Sequence, residues 1–146
     1  MNQAVRAVII HDNKLLVMHR NKFGKEYDTL VGGGVQPGES LEQALYRELH
    51  EETGVQIGPE PRLVFVEDDG APNTVQQVFW CEYVSGEPAL RPDSDEAQIN
   101  QAGENLYIPQ WLPLAELPSA TFISERLKQA ILAALKNGLP AGPQTL

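Results

Sequence analysis

Apolar positions along this chain repeat with two different periods, and the switches between those periods mark out its elements. Residues 3–11 (QAVRAVIIH) and 14–20 (KLLVMHR) are short apolar-rich runs of strand length. Asp12-Asn13 between them is turn chemistry, so the pair predicts a β-hairpin. Residues 21–26 (NKFGKE) predict a polar loop, and 27–31 a short strand running into Gly32-Gly33-Gly34. The period then lengthens. Leu41, Ala44, Leu45 and Leu49 recur at spacings of three and four, which is the core-facing stripe of a helix over about 41–53. Ser40 is its N-cap, Gln43 completes a capping box, Pro37-Gly38 turns the chain beforehand and Gly54 ends it.

Beyond the helix, 62–67 (RLVFVE) and 75–84 (VQQVFWCEYV) predict strands, separated by a turn-rich loop at 68–73 (DDGAPN). Residues 87–105 contain Pro88, Pro92 and a run of acids and amides, and exceed the usual length of a connection, so this segment is either functional or partly disordered. Strand character resumes at 106–112 (LYIPQWL), where Pro109 restricts it to an edge or a bulge. Residues 114–117 predict a helical turn. A second full helix spans 124–137, with Leu127, Ile131, Leu132 and Leu135 on one face and Gly138 as its stop. Residues 139–146 have no core pattern and predict a flexible tail. The order strand, strand, strand, helix, strands, helix predicts an α/β fold with a mixed sheet between helices, in a single domain over 1–138.

The first helix also carries charge in a pattern. Glu48, Glu51 and Glu52 stand at i, i+3 and i+4 and share a face distinct from the leucine stripe. An isolated acidic run of this kind is ordinarily a solvated helix face. Here it follows a glycine-rich loop and ends against a cap glycine, and that combination favours a metal site. Carboxylates this close repel one another, and hard cations such as Mg²⁺ or Mn²⁺ would neutralise them and bridge to phosphates. Arg47 can pair with Glu39 or Glu51 and hold the cluster in position.

Composition narrows the function classes. The 146 residues are 42% hydrophobic and 21% charged, ordinary values for a soluble globular domain. No apolar run reaches the length of a membrane span and no signal-peptide layout is evident, so cytoplasmic residence is the expectation. The single cysteine, Cys81, cannot form an internal disulfide and reads as a small buried hydrophobe. A net charge of −9 argues against a nucleic acid polymer or an anionic membrane as partner. It is compatible with a small nucleotide substrate when metal ions intervene.

Residues 33–55 (GGVQPGESLEQALYRELHEETGV) fit, position for position, the pattern G-x5-E-x7-R-E-U-x-E-E-x-G-U, where U is bulky and aliphatic. Gly33, Glu39, Arg47, Glu48, Leu49, Glu51, Glu52, Gly54 and Val55 fill the fixed places. A chance match at one starting position has a probability on the order of 10⁻⁹. The segment resembles the Nudix box, and the chain is identified on it as a member of the Nudix hydrolase superfamily. Outside the box the resemblance extends to the element order and to the stretch 111–118 (WLPLAELP). It implies an α/β/α sandwich and metal-dependent hydrolysis of a nucleoside diphosphate linked to another group X, such as a nucleoside triphosphate or ADP-ribose. It also implies Mg²⁺ or Mn²⁺ on Glu48, Glu51 and Glu52, the Gly33 carbonyl as a further ligand, and Arg47 as an orienting residue. The chain departs from common relatives at Val31, where many have proline, which bears on cleft shape.

The family places its general base either in the box, here Glu48 or Glu52, or on a downstream loop, here Asp95, Glu96 or Glu104; Glu104 is the preferred single choice. Arg20, at the end of a strand, is a candidate phosphate contact or a surface residue, with Lys22, Lys25 and Arg6 behind it. Gly33 and Gly34 are candidates for close backbone approach to substrate. Tyr107, Trp80 and Phe65 are candidates for base stacking or for core. A monomer or homodimer is expected. The competing function is a catalytically silent Nudix domain that senses a nucleotide or binds a partner, although all four box glutamates are present.

Overall fold

The computed structural model describes residues 2–68 and 73–146. Strands β1 (Asn2–His11) and β2 (Lys14–Lys22) meet at Asp12-Asn13, whose φ values of 53° and 58° make the left-handed pair a tight hairpin requires. The segment 21–26 is not the expected loop. A second tight turn at Phe23-Gly24, with φ values of 52° and 89°, folds β3 (Lys25–Thr29) back on β2. Lys22 and Lys25 lack the apolar alternation that reveals a half-buried strand, so the pairing was hidden.

Strand β4 (Val31–Gly34) pairs antiparallel with β1, and helix α1 (Leu41–Glu52) follows. Then come β5 (Gln56–Ile57), β6 (Arg62–Asp68), β7 (Thr74–Cys81) and β8 (Tyr83–Ser85). The long strand expected at 75–84 is broken at Glu82, and its end leaves to pair with β5 in a separate two-stranded sheet. The loop expected at 68–73 falls largely on 69–72, outside the described residues. The irregular segment contains a short helix, α2 (Asp95–Asn100), ahead of β9 (Asn105–Pro113). A 3-10 turn (Leu114–Ser119), helix α3 (Glu125–Asn137) and β10 (Gln144–Thr145) complete the chain.

The main sheet runs β10-β6-β7-β1-β2-β3, with β4 joining β1 and β9 joining β2. It is mixed, because β1 with β7 and β6 with β10 are parallel and the other pairs antiparallel. Two cores cover its faces. Val5, Ala7, Ile9, Leu16 and Met18 pack with Ala44, Leu45 and Leu49 of α1. Val8, Leu15, Val17 and Phe65 pack with Leu127, Ile131 and Ala134 of α3. The result is a sheet between helices, an α/β/α sandwich.

Pro109 lies on β9, which pairs only with β2, so its missing N–H falls on an edge strand. Residues 139–146, expected as a flexible tail, instead lead into β10, where Gln144 and Thr145 pair with Phe65 and Val66. The reason is that β6 presents unpaired backbone groups at the sheet edge, and even a short polar segment can satisfy them.

Candidate functional site

Helix α1 starts where the sequence says it should. The Gln43 N–H donates to Ser40 Oγ at 3.1 Å and the Ser40 N–H to Gln43 Oε1 at 2.8 Å, a complete capping box. Its leucine stripe anchors it on β1 and β4, and that docking angle turns two glutamates inward rather than into solvent. Glu48 and Glu52 are 9% and 8% exposed, while the Glu51 side chain is 40% exposed. Of the three, only Glu51 stands open to solvent.

The glycines above them are required by contact. At Gly32, φ is 145° and a Cβ would sit 1.9 Å from the Val5 carbonyl oxygen; its N–H donates to Glu52 Oε2 at 3.3 Å. At Gly33 a Cβ would lie 2.5 Å from the Glu48 carboxyl carbon. The carboxylate of Glu48 thus rests directly against the Gly33 backbone.

Arg47 ties the cluster together. Its Nε and Nη2 donate to the two Glu39 oxygens at 2.6 and 3.0 Å, and Nη2 also donates to the Gly34 carbonyl at 2.9 Å. Its Nη1 reaches Glu48 Oε1 at 2.9 Å and Glu51 Oε2 at 3.4 Å. The fork on Glu39, helped by the Gln36 N–H, holds that carboxyl down at about 2.

The segment after β8 closes the site. The Ala89 N–H donates to the Thr53 carbonyl at 2.8 Å and the Arg91 N–H to the Glu51 carbonyl at 3.1 Å, so the loop satisfies orphan carbonyls at the end of α1. Ser94 then caps α2, accepting the Ala97 N–H at 3.1 Å. Between α1 and this segment lies a cleft of about 270 Å³ whose walls include Glu48, Glu51, Asp95 and Glu96.

Burial, with crowding of like charge, raises the pKa of two of these carboxyls. Burial, then the charges of Glu48 and Glu96, push Glu52 up to about 8, against smaller pulls from Arg6 and the Gly32 N–H. Glu48 is also raised, by burial first; Arg47 opposes this, and Glu51 and Glu96 add to it.

These donors suit a hard divalent cation. They are carboxylate oxygens with a backbone carbonyl beside them, and the charge they accumulate is costly without a counter-ion. Among the described residues no three acidic, histidine or cysteine side chains already converge on one point, and Arg47 Nη1 stands between Glu48 and Glu51.

A family model for the NUDIX domain matches residues 1–133. The chain belongs to the Nudix family. It is 35% identical over 114 residues to NudC of Photobacterium profundum, an NAD-capped RNA hydrolase, in an alignment covering 77% of this chain and 38% of that protein. It spans only 34% to 40% of the length of three such relatives. Among solved structures, a MutT NUDIX hydrolase from Burkholderia pseudomallei superposes with a TM-score of 0.63 and 26% identity, over 87% of this chain and 94% of that one. An ADP-ribose pyrophosphatase from Streptococcus suis shares the fold, with a TM-score of 0.61 and 17% identity over 99% and 98% of the two chains.

Not every residue singled out in this Nudix sequence reaches the cleft. Glu104 is exposed just before β9, where its carbonyl accepts the Phe23 N–H at 2.7 Å, and it is absent from the cleft wall; Glu96 is present there. Arg20 is committed elsewhere. Its guanidinium lies 3.7 Å from the centre of the Tyr107 ring, and it donates to the Leu106 carbonyl at 3.1 Å and to Asn105. Arg20 and Tyr107 thus brace β2 against β9. Arg6 donates to Gln76 at 2.9 Å. Phe65 is core, and Trp80 packs against that same core. Arg91, on the cleft wall, was not among the residues singled out; its placement depends on a loop with no periodicity to read.

Proposed function

We propose that this Nudix chain hydrolyses a phosphoanhydride bond in a small nucleotide, a nucleoside diphosphate linked to X, with Mg²⁺ or Mn²⁺ held by Glu48, Glu51 and Glu52. The observation that carries the reading is the placing of Glu48 under Gly33 and Glu52 under Gly32, with Glu48 and Glu51 on the wall of the cleft. Divalent ions bound there would offset the charge of the diphosphate and lower the pKa of the attacking water.

The protein's own groups have separable tasks. Arg47, fixed by Glu39 and the Gly34 carbonyl, orients Glu48 and Glu51. The Gly33 carbonyl is the further ligand the family pattern supplies. Glu96 faces Glu48 and Glu52 across the cleft, and we assign it the task of taking the proton from the attacking water, in place of Glu104. Gly33 and Gly34, lacking side chains, leave room for the diphosphate beside α1.

The silent-sensor reading is not favoured, because no box glutamate is missing. The kinship with an NAD-capped RNA hydrolase adds a nicotinamide dinucleotide to the candidate substrates, beside nucleoside triphosphates and ADP-ribose. The charge of −9 favours a free nucleotide over a polymer. Among the described residues no helix is long and apolar enough to cross a membrane.

The test is a panel of these compounds with Mg²⁺, following loss of each nucleotide and appearance of its phosphate products by chromatography. Turnover of at least one is expected, and Glu52→Gln or Glu96→Gln should lower kcat by at least about a hundredfold while the circular dichroism spectrum is kept. A panel with no turnover by the unaltered protein would sink the reading. Full activity in Glu52→Gln would sink the metal assignment.

A further inference from the structure

The cleft wall has five carboxylates, Glu48, Glu51, Asp93, Asp95 and Glu96, and two cations, Arg47 and Arg91. Arg47 is committed, since its three nitrogens all donate to Glu39, Glu48, Glu51 or the Gly34 carbonyl. Arg91 is different. Among the described residues its Nε and Nη2 donate to Asp93 alone, at 2.9 and 2.6 Å, in a pair whose side chains are 44% and 68% exposed. An exposed ion pair of this kind is weak, so exchanging its anion costs little. The fork that grips a carboxylate through two parallel bonds fits two oxygens of a phosphate equally well.

The backbone around Arg91 is built to hold it there. Its N–H donates to the Glu51 carbonyl at 3.1 Å, and its own carbonyl accepts from the Ser94 N–H at 3.0 Å and Ser94 Oγ at 2.7 Å. Leu90 beside it packs into the α1-side core, and the Ala89 N–H is fixed to Thr53 at 2.8 Å. At Gly86, with φ of 103°, a Cβ would lie 2.7 Å from the Gly54 carbonyl oxygen, so glycine lets the loop lie close against the end of α1. These anchors hold Arg91 on the cleft wall, beside the end of α1 that carries Glu51.

We propose that Arg91 is a specificity-determining residue. It exchanges Asp93 for a phosphate lying beyond the metal-bound diphosphate, so the preferred X is itself anionic, as the terminal phosphate of a nucleoside triphosphate is. The inference rests on the hydrolase reading and deepens it. Without Arg91 the loop side of the cleft would offer that phosphate Ser94 and the carboxylates of Asp93, Asp95 and Glu96. A neutral sugar arm makes no use of the cation.

Two measurements test it. In kinetics, Arg91→Gln should raise KM for a nucleoside triphosphate about tenfold, leave kcat within about twofold, and shift KM for ADP-ribose less than about twofold, since one charge-assisted contact is worth roughly that much. Arg91→Lys should recover part of the loss, and Asp93→Asn, which releases the guanidinium, should lower KM for the triphosphate. Equal losses on both substrates, or none, overturn the proposal.

In calorimetry with Ca²⁺ present, the unaltered protein should bind inorganic tripolyphosphate more tightly than pyrophosphate, and Arg91→Gln should abolish the difference. No tripolyphosphate binding, or a preference that survives Arg91→Gln, overturns it. If no nucleotide is turned over, the hydrolase reading fails, while the calorimetric result still decides the role of Arg91.

Discussion

At the scale of single residues, the site depends on one absent side chain as much as on the charged ones present. Gly33 faces Glu48 so closely that a Cβ would lie 2.6 Å from both carboxylate oxygens. Glu48 has little room to retreat, being 9% exposed and held by Arg47 at 2.9 Å. Gly33→Ala should therefore displace that carboxylate. A shift of about 1 Å at a reacting centre costs roughly 10²-fold in rate, and the Mg²⁺ needed for half-maximal activity should rise with it. Kinetics indistinguishable from the unaltered protein would show that Glu48 is not held in its working position by Gly33. Spacing puts Arg47, Glu48, Glu51 and Glu52 on adjoining turns of one helix, whereas the place of Gly33 beside them came only with the resemblance. Their individual burial was not legible. Whether a glutamate on a helix points to solvent or under a glycine loop depends on how the helix docks, which helical periodicity leaves open.

The elements divide in the same way. Helix α1, β1 and α3 were readable because each has an apolar face of regular period. The turn that starts β3 early, at Lys25, and the short helix α2 were not: the first joins polar strand ends and the second buries no residue. Side chains help to hold the β3 arm of this hairpin. His19 Nδ1 lies 2.8 Å from Asp28 Oδ1, and Nε2 lies 3.2 Å from Glu26 Oε1, so an imidazole on β2 clasps two carboxylates on β3. Burial pulls the His19 pKa down, but the hydrogen bonds and charges of Asp28 and Glu26 outweigh it, and the net shift is upward from 6.5. A histidine with a raised folded pKa stabilises most below the unfolded value and loses that contribution as pH rises through the folded one. The Tm of the unaltered protein should thus fall between about pH 6 and pH 8 by more than that of His19→Asn. Parallel Tm profiles for the two proteins would show that the clasp contributes nothing. The same logic explains why the loop after β8 was opaque: its order comes from hydrogen bonds to the ends of α1, which no local pattern announces.

Across the whole molecule, the mixed sheet between two helical layers follows from the element order, while the docking of residues 86–96 onto α1 brings Arg91 and Glu96 into the cleft. That docking concentrates negative charge. A chain with a net charge of −9 has gathered five carboxylates on one cleft wall, and burial with like charge has pushed Glu52 up to about 8. Such a cleft stores repulsion that a bound cation relieves, so stability and metal binding should be linked. Ligand at a hundred times its Kd stabilises the folded state by about 2.7 kcal/mol, roughly 5–10 °C in Tm for a chain of this size. Mg²⁺ at that excess should therefore raise Tm by that order, and by more as its concentration increases. Screening of the overall charge also stabilises an acidic protein, and NaCl at matched ionic strength isolates that contribution. Glu52→Gln removes a carboxyl that burial and like charge disfavour in its ionised form, and with it one ligand: it should raise Tm in EDTA and shrink the Mg²⁺ increment. If NaCl reproduces the whole Mg²⁺ effect, or if Glu52→Gln keeps the full increment, the cation does not bind at this cluster.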